Sequence, residues 1–187
     1  MIITCSRSQA DTRMLRTLKL FVDMCLMRAN PQDLPHSVAL AVLMLLVYTT
    51  LSYVLALSST KPSTALLAAL VDTGMLVGLA YAGLWVLDLK PRMTKLVTAL
   101  AGSGAVWQLV ALPVMGLLVS ASGEIPNNTL AGLSYLLLLA MVFWAIAIVG
   151  HILRHALNLK FYFALGIAVL YVYTSMRVGS ALFVAAQ

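Results

Sequence analysis

The stretch "LVDTGMLVGLAYAG", Leu70 to Gly83, sets one carboxylate, Asp72, among residues that otherwise avoid water. A second full charge, Arg177, interrupts the last apolar run. Either charge costs about 2.5–3.5 kcal/mol near mid-bilayer on insertion scales. Asp72 and Arg177 each sit some eight residues from the outer end of their run, roughly 12 Å deep at 1.5 Å per residue. Opposite charges at matched depth relieve one another. The expectation is an intramembrane Asp72–Arg177 ion pair, acting as a structural tie or as a step in a proton or ion relay. Gln108 is the one further candidate for such a relay at intermediate depth. Tyr173 and Ser180 share a helical face with Arg177, and Thr174 lies beside it, so these three extend a possible polar path.

Other chemistry is thin. His151 and His155 are four residues apart and share a face, and His36 falls on the same side of the chain's threading. They are weak metal candidates. No carboxylate accompanies them at ligand spacing, and no HExxH occurs. A one-sided cluster also cannot ligate haem from two helices. Cys5 and Cys25 have neither zinc spacing nor the makings of a disulfide framework. There is no nucleophile elbow, phosphate loop or pair of acids. The sequence therefore points away from an enzyme and implies no cofactor or bound metal.

The elements that position these residues follow from composition. Of 187 residues, 62% are hydrophobic and 10% charged, with a mean hydropathy of +0.99. A soluble domain carries roughly 25% charged residues. The fold class expected is all-α, a polytopic transmembrane helix bundle. A span needs about 20 mostly apolar residues, and five stretches qualify: 38–58, 64–87, 96–120, 130–150 and 162–185. Short breaks separate them ("SSTKPS", "DLKPR", "SGEIPNN", "HILRHALNLK"), so consecutive spans should be antiparallel neighbours. The net charge of +6 does not imply nucleic acid, because the cations sit in blocks between the apolar runs. Arg7, Arg13, Arg16, Lys19 and Arg28 precede the first span. Lys90, Arg92 and Lys95 occupy the second break, and Arg154 and Lys160 the fourth. Lys61 stands alone on the other side. The positive-inside rule then places the N-terminus in the cytoplasm and the C-terminus outside. A bacterial inner membrane is the expected location, and residues 1–13 contain no apolar signal region.

Ahead of the spans, 1–11 reads as a flexible segment and 12–37 as an amphipathic helix with its linker. Met14, Leu18, Phe21 and Cys25 are expected on one face, and Thr12, Arg16, Lys19 and Asp23 on the other. That pattern suits an interfacial helix, a strap along the bilayer or a docking element. Pro31 and Pro35 end it, and Asp33 or Ser37 can cap the first span. The sequon Asn127–Thr129 lies too close to the membrane to serve as an acceptor. In the second span Ala65, Ala68, Ala69 and Gly83 line the Asp72 side. Gly74 and Gly78 form a GxxxG on the opposite face, a candidate contact for another membrane protein. Small residues on both faces suggest that this span is central. Pro113 should kink the third span, and "AGSGAV" at 101–106 reads as close helix packing.

Three segments, "LFVDMCLMRANPQDLP", "LVTALAGSGAVWQLVALPVMG" and "LLLLAMVFWAIAIVGHILRHALNLKFYFALGIAVLYV", together resemble the bacterial branch of the Yip1-type five-span membrane proteins. The resemblance implies five spans after a basic amphipathic lead-in, and a non-enzymatic scaffold or accessory role. Eukaryotic members of that family are trafficking factors that associate with small GTPases, and their "DLYGP"-like segment is absent here. No catalytic residues carry over. The runner-up reading is a small transporter or channel subunit whose polar path uses Asp72, Arg177 and Gln108. The partners expected are the lipid bilayer and a second membrane protein, met through Gly74 and Gly78 or through the N-terminal amphipathic helix.

The ten-to-one distribution of cations yields a direct expectation. A reporter fused after Gln187 should be active outside the cytoplasm, and one inserted in loop 88–95 inside it. Cytoplasmic activity of the C-terminal fusion would overturn the threading.

Overall fold

The computed structural model describes residues 17–58, 60–121 and 129–185. Segment 1–11 (which includes Cys5), residues 12–16 of the lead-in helix, and Asn127 and Asn128 of the sequon lie outside the described residues. The described chain is all helical. A short α1 (17–25) and a 3-10 turn, Pro31–Asp33, lead into α2 (Val38–Leu57). Then come α3 (Pro62–Val86), a 3-10 turn Lys90–Arg92, α4 (Met93–Ala121), α5 (Thr129–Leu157) and α6 (Phe161–Ala185). The five helices α2 to α6 are each long and apolar enough to cross a membrane. This is a multi-pass helical membrane protein.

The helix ends have local causes. Ser37, with extended backbone, accepts the Leu40 N–H at 3.3 Å and caps α2. Pro62 opens α3 at its first position, where no N–H is needed. At the end of the bundle that carries α1, three helices stop alike, each on a left-handed residue: Met27 (φ 59°), Asp88 (φ 53°) and Asn158 (φ 54°). The next N–H then reaches back five residues, Arg28 to the Asp23 carbonyl, Leu89 to Leu84 and Leu159 to Arg154. Asp and Asn tolerate this conformation, whereas Met27 holds it at a cost of about 1–2 kcal/mol.

The fourth span runs beyond the expected residue 150 to Leu157. Ile152, Leu153, Ala156 and Leu157 are buried, so the helix continues as long as its inner face has something to cover. His151 and His155 are thus helical. α4 is a single helix through Pro113.

The central span is α4 and not α3. In the apolar 18-residue window of α4, 61% of residues are buried inside the bundle, against 28% or less for the other four spans. The reason lies in "ALAGSGA": Ala99, Ala101, Ser103 and Ala105 are buried, and two glycines receive rings. A Cβ at Gly102 would collide with the Phe21 ring, and one at Gly104 would come within 2.6 Å of Tyr48. By contrast, a Cβ at Gly74 or Gly78 would meet nothing within 4 Å, so the GxxxG face of α3 is open.

α1 also departs from expectation. Phe21, Met24 and Cys25 are fully buried against the bundle, while Leu18 is 57% exposed. Leu18 therefore does not share the packed face of Phe21. The Cys25 thiol contacts the Ser103 carbonyl at 3.5 Å, and Trp144 Nε1 donates to the Cys25 carbonyl at 3.0 Å. Burial pushes the Cys25 thiol up to about 11, so it stays protonated and unreactive. The helix is held by α4 and α5 and is more than a strap on lipid. The last carbonyls of α5, which have no partners within their own helix, receive donors from the linker that follows α1 and from the Lys90–Arg92 turn. Gln32 donates to the His155 carbonyl at 3.2 Å, Arg92 to Ala156 at 3.4 Å, and Lys95 to Gln32 at 2.9 Å.

Phe21 on Gly102 is one of the contacts that seat α1, and burial of such a ring is worth about 1.5–3 kcal/mol. Gly102→Val should expel the ring. The expected result is faster proteolysis around residues 17–30 and a lowered melting temperature in detergent, with Leu18→Ser near neutral. Equal effects of the two substitutions would contradict this packing.

Candidate functional site: a carboxylate cavity inside the bundle

The middle of the bundle holds a half-open cavity of about 420 Å³ to which all five spans contribute. Its walls are mainly apolar, and its polar groups gather around Asp72. From α2, Tyr48 Oη donates to Asp72 Oδ2 at 2.7 Å and Ser52 Oγ to the same oxygen at 3.1 Å. From α6, Ser175 Oγ donates to Oδ1 at 3.2 Å. Gln108 of α4 donates through Nε2 to Ser52 Oγ. Its Oε1 is the sole buried side-chain oxygen or nitrogen among the described residues that has no partner. Gln108 itself is 5% exposed.

Helical spacing explains the assembly. Tyr48 and Ser52 are four apart on α2, and both are buried. Ala65, Ala69, Asp72 and Leu76 follow one face of α3, and the alanines let α2 approach. Beside this cluster, Thr49 and Thr73 hydroxyls meet at 2.8 Å and fix the register of the two helices. On α6, Tyr171, Ser175 and Gly179 recur at helical spacing and line the cavity. Trp107 closes the α4–α5 side and donates to the Met141 carbonyl at 3.1 Å.

The expected ion pair is not formed. Arg177 is exposed, and no salt bridge joins it to Asp72. Two residues turn a helix by roughly 200°, so the face of α6 that carries Ser175 toward Asp72 carries Arg177 away. The rest of the proposed path goes with it. Tyr173 is 60% exposed, Thr174 bonds the Leu170 carbonyl at 2.7 Å, and Ser180 bonds that of Arg177 at 2.9 Å. Of the residues singled out from sequence, Asp72 and Gln108 do come together, bridged by Ser52. Tyr48, Ser52 and Ser175 were not anticipated. The Tyr48–Ser52 spacing was the available signal for the first two, but hydroxyls carry no charge to draw attention in an apolar run.

Hydroxyls suffice energetically. A hydrogen bond to a charged group contributes about 1.5–3 kcal/mol, so two or three offset the insertion cost of one carboxylate. Their cost is small, because Ser and Tyr cross hydrocarbon more readily than Arg does.

The histidines sit at the α1 end, away from the cavity. His151 and His155 pack edge to face with centroids 4.6 Å apart, and His151 Nε2 is 3.2 Å from the Ala29 carbonyl. His36 is exposed. No three His, Cys, Asp or Glu side chains gather to hold a metal among the described residues. Nearby, Arg154, His155, Asn158 and Lys160 line a second, polar hollow at the α5–α6 turn.

The fold and site define a class, a multi-pass helical membrane protein with a carboxylate-bearing cavity among its spans. Comparisons with protein-family models, with curated proteins and with solved structures return no match.

The hydroxyl shell can be tested against the ion pair. Tyr48→Phe should cost about 1.5–3 kcal/mol, the worth of one bond to a charged group. Arg177→Leu should change stability by less than about 0.5 kcal/mol, as an exposed substitution does. Thermal unfolding in one detergent measures both. A double-mutant cycle of Asp72→Asn with Arg177→Leu should show no coupling, and coupling above about 1 kcal/mol would restore the pair.

Proposed function

We propose that this protein is a non-enzymatic, membrane-embedded binding protein of the small transporter or channel-subunit kind. Asp72 and Gln108 form its polar site. The observation that carries this reading is the cavity itself: a partly buried carboxylate, ringed by hydroxyls from two other spans, lines open volume instead of packed side chains. A carboxylate kept only to hold helices together would be closed over. Intramembrane acids that line cavities mark substrate or ion pathways, and ligand pockets commonly enclose some 300–1,000 Å³. The orientation that accompanies this reading has the α1 end in the cytoplasm of a bacterial inner membrane, supported by the clustering of cations at that end.

A second reading, a scaffold or accessory protein as the Yip1-type resemblance implies, is favoured by one feature. The open Gly74/Gly78 face of α3 is smooth enough for another helix to approach. Under that reading the interior is sealed and the cavity idle.

Water access separates the two. Thiol reagents that are confined to water react only where water reaches. With Cys5 and Cys25 replaced by Ser in the full chain, Ser175→Cys should be modified in membranes by such a reagent. Leu170→Cys, on the exposed face of the same helix, should not. Protection of Ser175→Cys from both sides of the membrane would overturn the binding role and favour the scaffold.

A further inference from the structure

The hydrogen-bonding capacity left over in the cavity indicates what it holds. An ionised carboxylate accepts about four hydrogen bonds and donates none. Oδ2 of Asp72 already has two donors, Tyr48 and Ser52. Oδ1 has one, Ser175. One acceptor position on Oδ1 remains. Gln108 Oε1 is a second vacant acceptor, buried and without a partner. The orientation of that amide follows from Ser52, whose single hydroxyl proton goes to Asp72 and which must therefore accept from Gln108 Nε2. Asp72 and Gln108 are each one hydrogen bond from Ser52 Oγ, and both residues line the cavity.

The cavity thus offers acceptors and a negative charge, with the hydroxyl protons of Tyr48, Ser52 and Ser175 already committed to Asp72. An anion would meet repulsion from Asp72. A neutral apolar molecule would leave Gln108 Oε1 unsatisfied, at a cost of about 1–3 kcal/mol. A group that is both positive and rich in donors satisfies every vacancy at once. Among the described residues no cation serves Asp72, because Arg177 is exposed on another face of α6. The remaining walls, including Leu76, Leu79, Leu100, Ile148 and Val149, ask for an apolar body.

We propose that the cavity selects amphiphilic amines, with the protonated nitrogen seated between Asp72 Oδ1 and Gln108 Oε1 and the hydrocarbon part against the apolar walls. This rests on the binding role proposed above and adds to it the chemical class of the ligand. The ammonium supplies the charge that Asp72 lacks in the bundle. Its N–H groups supply the donors that Gln108 lacks.

Three probes of nearly one shape test this on the full chain in lipid nanodiscs, by equilibrium binding near neutral pH. Phenethylammonium carries charge and donors, phenethyltrimethylammonium carries charge alone, and 2-phenylethanol carries neither charge nor a full set of donors. Phenethylammonium should bind at least tenfold more tightly than the alcohol and several-fold more tightly than the quaternary ion. Asp72→Asn should remove the preference for charge, and Gln108→Met should remove the preference for N–H over the quaternary ion while keeping that for charge. The comparison among probes on the unmodified protein stands even if a variant fails to fold. Equal binding of amine and alcohol would overturn the ligand class and leave the binding role intact. Failure of all three to bind would overturn the amine proposal, while the binding role answers separately to reagent access at Ser175→Cys. Retention of the full amine preference in Asp72→Asn would also overturn the proposal.

Discussion

A carboxylate in hydrocarbon must be solvated by something, and here the solvent is a set of hydroxyls held on two other helices. Tyr48 and Ser52 reach Asp72 from α2, and Ser175 reaches it from α6. That requirement links three spans that are not all consecutive. It demands that α2 and α3 approach closely, which Ala65 and Ala69 permit, and that α6 present Ser175 inward. Rotation of α6 by a residue or two would leave the carboxylate short of donors. The outward position of Arg177 follows from this arrangement and is no separate feature.

The central place of α4 is the second consequence. A helix that touches several neighbours must have a narrow profile on several faces. The run from Ala99 to Ala105 provides it, with glycines at 102 and 104 accepting aromatic rings from α1 and α2. Tyr48 is therefore held twice, by packing of its ring on Gly104 and by its hydroxyl on Asp72. A ring placed by packing delivers its hydroxyl with little further loss of freedom. Preorganised donors of this kind are what makes a buried charge tolerable. Gln108, one turn farther along α4, then meets Ser52, and its carbonyl oxygen is left without a partner.

At the α1 end the structure is closed by backbone groups. The carbonyls that end α5 would otherwise lack partners. Gln32 and Arg92 serve them, and the linker after α1 is pinned in the process. α1 itself is anchored through Phe21, Met24 and Cys25, so the N-terminal helix belongs to the bundle's core. Its exposed Leu18, Val22 and Leu26 lie on the other side, with four-residue spacing. An apolar face that meets no protein is unremarkable where the surroundings are lipid.

The sequence by itself determined the class, the number of spans and nearly all their limits. Each of these depends only on local quantities: twenty apolar residues, a proline, a capping serine. Span existence is a property of a segment against its solvent, and the solvent was evident from composition. It also marked Asp72 and Gln108, because charge and amide are costly in an apolar run wherever that run packs. Only the tertiary structure decided what Asp72 bonds, which face of α6 turns inward, and that α4 rather than α3 is central. Those outcomes depend on helix rotation and pairing, which many apolar faces of equal hydropathy leave undetermined. Within a bilayer both sides of a helix are apolar, so the polarity contrast that orients helices in water is absent. The decision passes to packing of small residues and to a few hydroxyls, whose weight appears only once their partner is in place.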